Sequence, residues 1–318
     1  MKAINAYTDK IIVKYNPAER TKKGSWIILR ALLVIGFCFI ILFPLFLRLS
    51  VAFRSKSDIY DPTVLWIPRH FTLDNLKLAV ESTDYFSALL NTFLISGGTT
   101  LIQLISCALA AYAFARLKFR GSVLLFGLVI FTIVVPPQTY MIPLYLTYRY
   151  FDMFGLVGLF SKKDSFNLID TFWPFLISSA TAMGLKNGLY IFIFRQFFRG
   201  IPKEIEEAAL VDGAGVFKTF YRIMIPNAIP AVITVLLFSF VWQWNDSYYV
   251  SLFLSKVKVL STSLMDMGIA VTGVEPDPVY QSMLLNTGVL LTTAPLIIMY
   301  LFVQRYFVES VERTGLVG

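Results

Sequence analysis

The stretch YFSALLNTFLISGGTTLIQLISCALAAYAFA, residues 85–115, runs for 31 positions without an Asp, Glu, Lys or Arg. About 20 such residues cross the hydrocarbon core of a bilayer as a helix, so this stretch alone reads as a transmembrane span. Outward from it lie five more uncharged runs, 31–47, 121–148, 171–185, 223–245 and 283–304. Four of the six exceed the span length, and the other two reach it if one flanking charge is admitted. The whole chain of 318 residues is 57% apolar and 15% charged, against about 25% charged in soluble domains. An all-α integral membrane protein with six spans is therefore expected, over about 26–53, 86–115, 122–146, 171–198, 227–254 and 283–306. A soluble enzyme and a nucleic-acid binder are excluded. So is a transmembrane β-barrel, whose strands alternate apolar and polar residues in segments of about ten.

Orientation follows from the basic residues. With the N-terminus in the cytoplasm, the cytoplasmic pieces 1–30, 116–120, 195–222 and 305–318 hold 17 of the 28 Lys and Arg. The three outside loops hold nine, Lys162 and Lys163 among them, and Arg48 and Lys186 fall inside spans. This excess in short loops predicts an N-in, C-in topology, and it accounts for the net charge of +8 without an acidic partner. Residues 1–25 carry six Lys and Arg ahead of the first apolar run, so they read as a cytoplasmic N-terminal segment and not as a cleaved signal. Residues 26–318 then form the membrane domain. The outside segments 54–84, 149–170 and 255–282 read as modest loops, with a short interfacial helix over 72–81. Cys38 and Cys107 each lie in an apolar run as small hydrophobes. His70 has no second His or Cys nearby for a metal, and none is expected.

One segment has no explanation in the bilayer. Residues 200–226, GIPKEIEEAALVDGAGVFKTFYRIMIP, are too long for a turn. Pro202, the early acids Glu204, Glu206 and Glu207, and then Ala208, Ala209 and Leu210 signal a helix. Gly213 and Gly215 interrupt it, and Val216, Phe217, Phe220, Tyr221 and Ile223 give a second helical stretch ending at Pro226. This helix, bend, helix unit exposes apolar positions that its own chain is too short to cover, which points to a partner protein.

The spacing within it is distinctive: Glu207-Ala208-Ala209, three residues, Gly213, nine residues, Ile223, one residue, Ile225, Pro226. It resembles the EAA loop of ATP-binding-cassette (ABC) importer permeases, with Ile225 in place of Leu the only departure. The stretches 91–121, 135–146, 191–215, WQWND (242–246) and QRYFVES (304–310) resemble the shorter permease subunit of the carbohydrate-uptake, maltose-type branch.

That resemblance implies a type I importer permease fold in a prokaryotic plasma membrane. It implies that Glu207, Ala208, Ala209, Asp212, Gly213, Ile223 and Pro226 couple the chain to an ATPase. Its implied partners are a second, homologous permease, two copies of an ABC ATPase, an extracellular solute-binding protein and membrane lipids. The chain has no GxxxxGK[ST] sequence, so ATP and Mg would be bound by the ATPase, with no cofactor and no catalysis in this chain. The family's short subunit often ends in a tail containing Gly and Lys; this one ends VERTGLVG, with Gly315 and Gly318 but no terminal Lys.

Polar residues inside spans are costly and mark cavities or helix contacts. The candidates for a solute pathway are Asn91, Gln103, Gln138, Lys186, Asn187, Trp242, Trp244, Asn245, Asp246, Asn286 and Thr292. An indole stacks on a pyranose face while amides and carboxylates take its hydroxyls; the competing reading of the two Trp is an interfacial anchor. Lys186, near the middle of span four, suits either a carboxylate of the partner permease or the solute. Pro136 and Pro137 are expected to kink span three, and 261–282 is a candidate contact for the binding protein. The alternative function is a self-sufficient secondary carrier or channel, against which stand the absence of a visible inverted repeat and the paucity of buried ionisable groups.

Overall fold

The computed structural model describes residues 17–64, 66–152, 155 and 165–315, with side chains for all of these except 17–23, 270–274 and 305–315. Lys162, Lys163, Gly318 and most of the N-terminal segment lie outside the described residues. The described residues are helical, with two isolated bridges, Arg54 with Phe71 and Phe151 with Phe166, and no strand. The chain divides into two compact units, one ending at Asn75 and one beginning at Leu76.

The first unit is dominated by α1, Pro17–Ala52. Its apolar side chains are exposed along its length, from Trp26 at 65% to Ile41 at 70%, as in a helix whose solvent is lipid. After it, the buried carboxylate of Asp58 accepts the backbone N–H groups of Arg69 and His70, both at 2.8 Å, and pairs with His70 Nδ1 at 2.6 Å. One side chain thus ties the loop closed.

The second unit is built around α3, Tyr85–Arg116, which follows the short helix α2, Asp74–Thr83. The expected outside helix thus starts two residues later than the sequence indicated. Among the described residues, three helices are long and apolar enough to cross a membrane: Gly24–Ala52 in α1, α3, and Pro278–Gln304. A fourth arises if the 216–227 stretch and the helix Ile229–Trp244, which meet at 81°, make one span.

The expected spans three and four are broken. Span three is α4, Ser122–Val134, then a 3-10 turn Pro137–Thr139, then α5, Met141–Arg149. Instead of the expected kink, the helix stops. A residue before proline is pushed out of the α region, and Val135 and Pro136 are both extended, with ψ 121° and 133°.

Span four is α6, Trp173–Ala180, and α7, Asn187–Gly200. Between them Ala182 and Lys186 take positive φ, 55° and 60°. Lys186 is therefore at a turn and not mid-helix. Gly188 allows α7 to approach α4: a Cβ there would stand 2.5 Å from Thr132 Oγ1 and 2.9 Å from the Val129 carbonyl. Small residues at such crossings let backbones pack without a hydrophobic driving force.

The elbow is α8, Lys203–Val211, and α9, Val216–Thr219, followed by a π-helical turn Phe220–Met224. Then come α10, Ile229–Trp244, and α11, Tyr248–Phe253. The segment expected as an outside loop is largely helix: α12, Leu260–Val274, runs before α13, Pro278–Gly315. Met267 of α12 is fully buried and packs with Ala79 and Leu284, which explains why the segment is ordered as a helix.

Candidate coupling elbow and polar cleft

The elbow's bend has a definite geometry. The Ala214 N–H donates to the Ala209 carbonyl at 2.9 Å and the Gly213 N–H to the Leu210 carbonyl at 3.1 Å. With Gly213 at φ +77°, this is the Schellman arrangement that ends a helix and satisfies its last carbonyls. Ala209 is the residue whose carbonyl closes the longer loop, and it is buried at 8%. The spacing from Glu207-Ala208-Ala209 to Gly213 is thus the length of a helix end with its capping glycine.

Two faces result. Phe220 and Met224 are buried with Tyr112, Phe194 and Phe198. On the other face Val211 is 87% exposed and Phe217 76%, with Tyr221, Leu210 and Val216 also exposed. Glu207, Ala208, Asp212, Gly213 and Pro226 are exposed, and Ile223 is partly so.

The elbow is fastened to α3 by residues outside the motif. The Tyr112 hydroxyl donates to Glu206 Oε1 at 2.6 Å, and Arg116 Nε lies 3.3 Å from Glu206 Oε2. Arg116 Nη2 also donates to the Ile201 carbonyl.

Far from the elbow along α10, Pro137, Leu185, Val241, Trp242, Asn245, Asp246, Ser247, Tyr248 and Tyr249 line a cleft of about 390 Å³. The Lys186 ammonium sits over the Trp242 ring, 4.3 Å from its centroid. Gln138 Nε2 donates to the Tyr248 hydroxyl at 2.9 Å. Asp246 Oδ1 accepts the N–H groups of Tyr248 and Tyr249 at 3.0 and 3.1 Å, satisfying donors at the start of α11 that have no partner within the helix. So Gln138, Lys186, Trp242, Asn245 and Asp246 come together.

The other candidates do not join them; Asn286 and Thr292 donate back to the Ser282 and Gly288 carbonyls of their own helix, at 2.8 and 3.0 Å. Trp244 is buried with Phe240 and Leu260, its indole N–H on the Thr292 carbonyl at 3.3 Å. Asn91 donates to the Lys258 carbonyl at 2.9 Å. Asn187 is buried, its amide 2.6 Å from that of Gln103, in a network where Ser239 donates to Gln103 Oε1 and lies 3.0 Å from the Thr100 hydroxyl. Gln103, a pathway candidate from its place in an apolar run, thus belongs to this buried network and not to the cleft, while Tyr112 and Tyr248 were not singled out for the elbow or the cleft.

An all-helical chain with apolar spans, an exposed elbow and a polar cleft, and no group of His, Cys, Asp or Glu among the described residues placed to hold a metal, has the build of a membrane permease. The chain belongs to the family of binding-protein-dependent transport system inner membrane components, which it matches over residues 104–313. It is similar to the melibiose/raffinose/stachyose import permease protein MelC of Bacillus subtilis (strain 168), 30% identical over 95% of this chain and 99% of the relative. It is also similar to the trehalose transport system permease protein SugB of Mycobacterium tuberculosis (strain CDC 1551 / Oshkosh), 29% identical over 92% and 97%. The fold is that of a chain in the crystal structure of a bacterial ABC transporter involved in the import of the acidic polysaccharide alginate, with a TM-score of 0.70, 21% identity, and 92% and 99% coverage. The family drawn from the EAA spacing is the one found, and the chain is a multi-pass membrane protein.

Proposed function

We propose that this chain is one of two homologous permease subunits of an ATP-driven carbohydrate importer, with six spans and both termini in the cytoplasm. Two copies of an ABC ATPase bind ATP and Mg and hydrolyse ATP; an extracellular solute-binding protein delivers the sugar. The observation that carries this reading is the Schellman bend at Gly213, which presents Val211, Phe217 and Tyr221 as an apolar face beside Glu207, Ala208 and Asp212. A face of that kind fits a groove in a partner protein.

The cleft at Gln138, Lys186, Trp242, Asn245 and Asp246 is this subunit's share of the solute pathway. Its chemistry suits a sugar: one aromatic face, an amide and hydroxyls to exchange hydrogen bonds, and no bond-breaking constellation. The substrates in the relatives' names, melibiose, raffinose, stachyose and trehalose, set the first panel to try. The test is uptake of these labelled sugars into vesicles carrying this chain with its partner permease, ATPases and binding protein. Uptake should require ATP on the elbow side. Uptake by this chain alone, driven by an ion gradient, would replace this reading with a secondary carrier.

A further inference from the structure

The EAA spacing describes the elbow but not what holds it to the rest of the molecule. That role falls to Glu206, which precedes the motif. Its carboxylate receives the Tyr112 hydroxyl on one oxygen, at 2.6 Å, and faces Arg116 Nε with the other, at 3.3 Å. Tyr112 and Arg116 are four residues apart, so they project from the same side of α3 one turn apart. Arg116 uses a second nitrogen on the carbonyl of Ile201, which caps α7. One ion pair thereby joins three elements: α3, the end of α7 and the first turns of the elbow.

The joint is withheld from water. The side chains of Arg116 and Glu206 are 5% and 14% exposed. The Tyr112 ring is itself wedged, 5.2 Å from Phe220 and 6.0 Å edge-on to Phe198. A pair so withdrawn cannot exchange its partner for solvent at low cost. Elbow and α3 cannot part without leaving a buried charge unpaired, so a displacement of one must displace the other.

Beyond the joint, α3 continues to the Thr100 and Gln103 hydrogen bonds with Ser239 of α10. It also reaches Thr92, whose hydroxyl oxygen accepts the Leu260 N–H at 2.9 Å. A body that carries α3 is therefore bonded to α10, on which the cleft's Trp242 and Val241 stand.

We infer that Glu206, held by Tyr112 and Arg116, is the positioning residue that makes the elbow and α3 one moving body, so that force on the exposed elbow face reaches the helix beside the cleft. This rests on the importer reading above. It differs from docking itself, because none of the three residues presents its polar group on the exposed face.

The test uses the complete transporter reconstituted with its ATPases, and reads ATP hydrolysed per solute imported. Glu206→Gln keeps the size and loses the charge; Tyr112→Phe loses one hydroxyl and is the milder change should the first fail to assemble. The expected result is ATPase still bound and active, with the ratio raised several-fold in Glu206→Gln and less in Tyr112→Phe. A purely structural joint would lower assembly and both rates together, leaving the ratio at its wild-type value, and that result overturns the proposal. Wild type without any ATP-driven uptake would overturn the importer reading itself, and the proposal with it.

Discussion

The ammonium of Lys186 lies 4.3 Å from the centroid of the Trp242 ring, so the indole face that a sugar would stack on is capped by a cation of the same subunit. Lys186 comes from the turn before α7, where its φ is +60°, and Trp242 from the last turn of α10. A cation over an indole is worth about 0.5–1 kcal/mol where partly exposed. Lys186→Met should accordingly change the thermal stability of the transporter little. Trp242→Ala removes the stacking face as well and should cut sugar uptake several-fold with the complex still assembled. Uptake by Trp242→Ala equal to that of wild type would mean that the aromatic face takes no part.

Gly213 is required by its backbone and not by crowding. A Cβ there would meet nothing within 4 Å, yet φ is +77°. Alanine in that conformation costs about 1 kcal/mol or a little more, and asparagine, which tolerates it, less. Thermal unfolding of the purified complex should rank wild type, then Gly213→Asn, then Gly213→Ala. Alanine as stable as wild type would show that the bend needs no capping glycine.

The Asp170 carboxylate, in the loop before α6, is held below its ordinary value of 3.8 first by the N–H of Ser255, then by that of Lys256 and by the Ser255 hydroxyl. A folded-state value below the unfolded one means that its contribution is complete above the unfolded value and is lost as pH falls through the folded one. Unfolding temperatures followed from pH 7 down to about pH 3, below the unfolded aspartate value of about 3.9, should converge between wild type and Asp170→Asn. A constant gap across that range would remove Asp170 as the source.

Gln103 is 1% exposed and bonds at once to the Leu185 carbonyl, to Asn187 and to Ser239. Gln103→Leu leaves those groups without their partner, at a cost of about 1–2 kcal/mol in a membrane helix. A melting curve that does not shift downward would show that water or the partner subunit already serves them.

How much of this was legible in the sequence depended on range. The helices of 24–52, 85–116 and 278–304 followed from uninterrupted apolar length, because a bilayer tolerates only such segments. The turn at Gly213 followed from local spacing, since a Schellman end spans six residues. The break in α4–α5 was read too gently as a kink, although Pro136 and Pro137 marked the place. The break before α7 carried little local signal: its left-handed residues are Ala182 and Lys186, not glycines, and surrounding packing holds them there. The cleft draws Gln138, Lys186 and Trp242 from three separate segments. The joint pairs Tyr112 with a residue 94 positions away. No periodicity reports contacts of that range, which is why the docking face was foreseen and its anchor was not.

The central claim is that this permease is driven by a separate ATPase seated on the elbow. The direct measurement is to tag the chain at its N-terminus, extract it from its native membrane and identify the bound proteins by mass spectrometry. Wild type is to be compared with a Val211→Asp, Phe217→Asp variant, whose two positions are 87% and 76% exposed and so cost the fold little. The account predicts a second permease in both preparations and a P-loop ATPase in wild type alone. A chain recovered by itself, or with only further copies of itself, in both forms would contradict it.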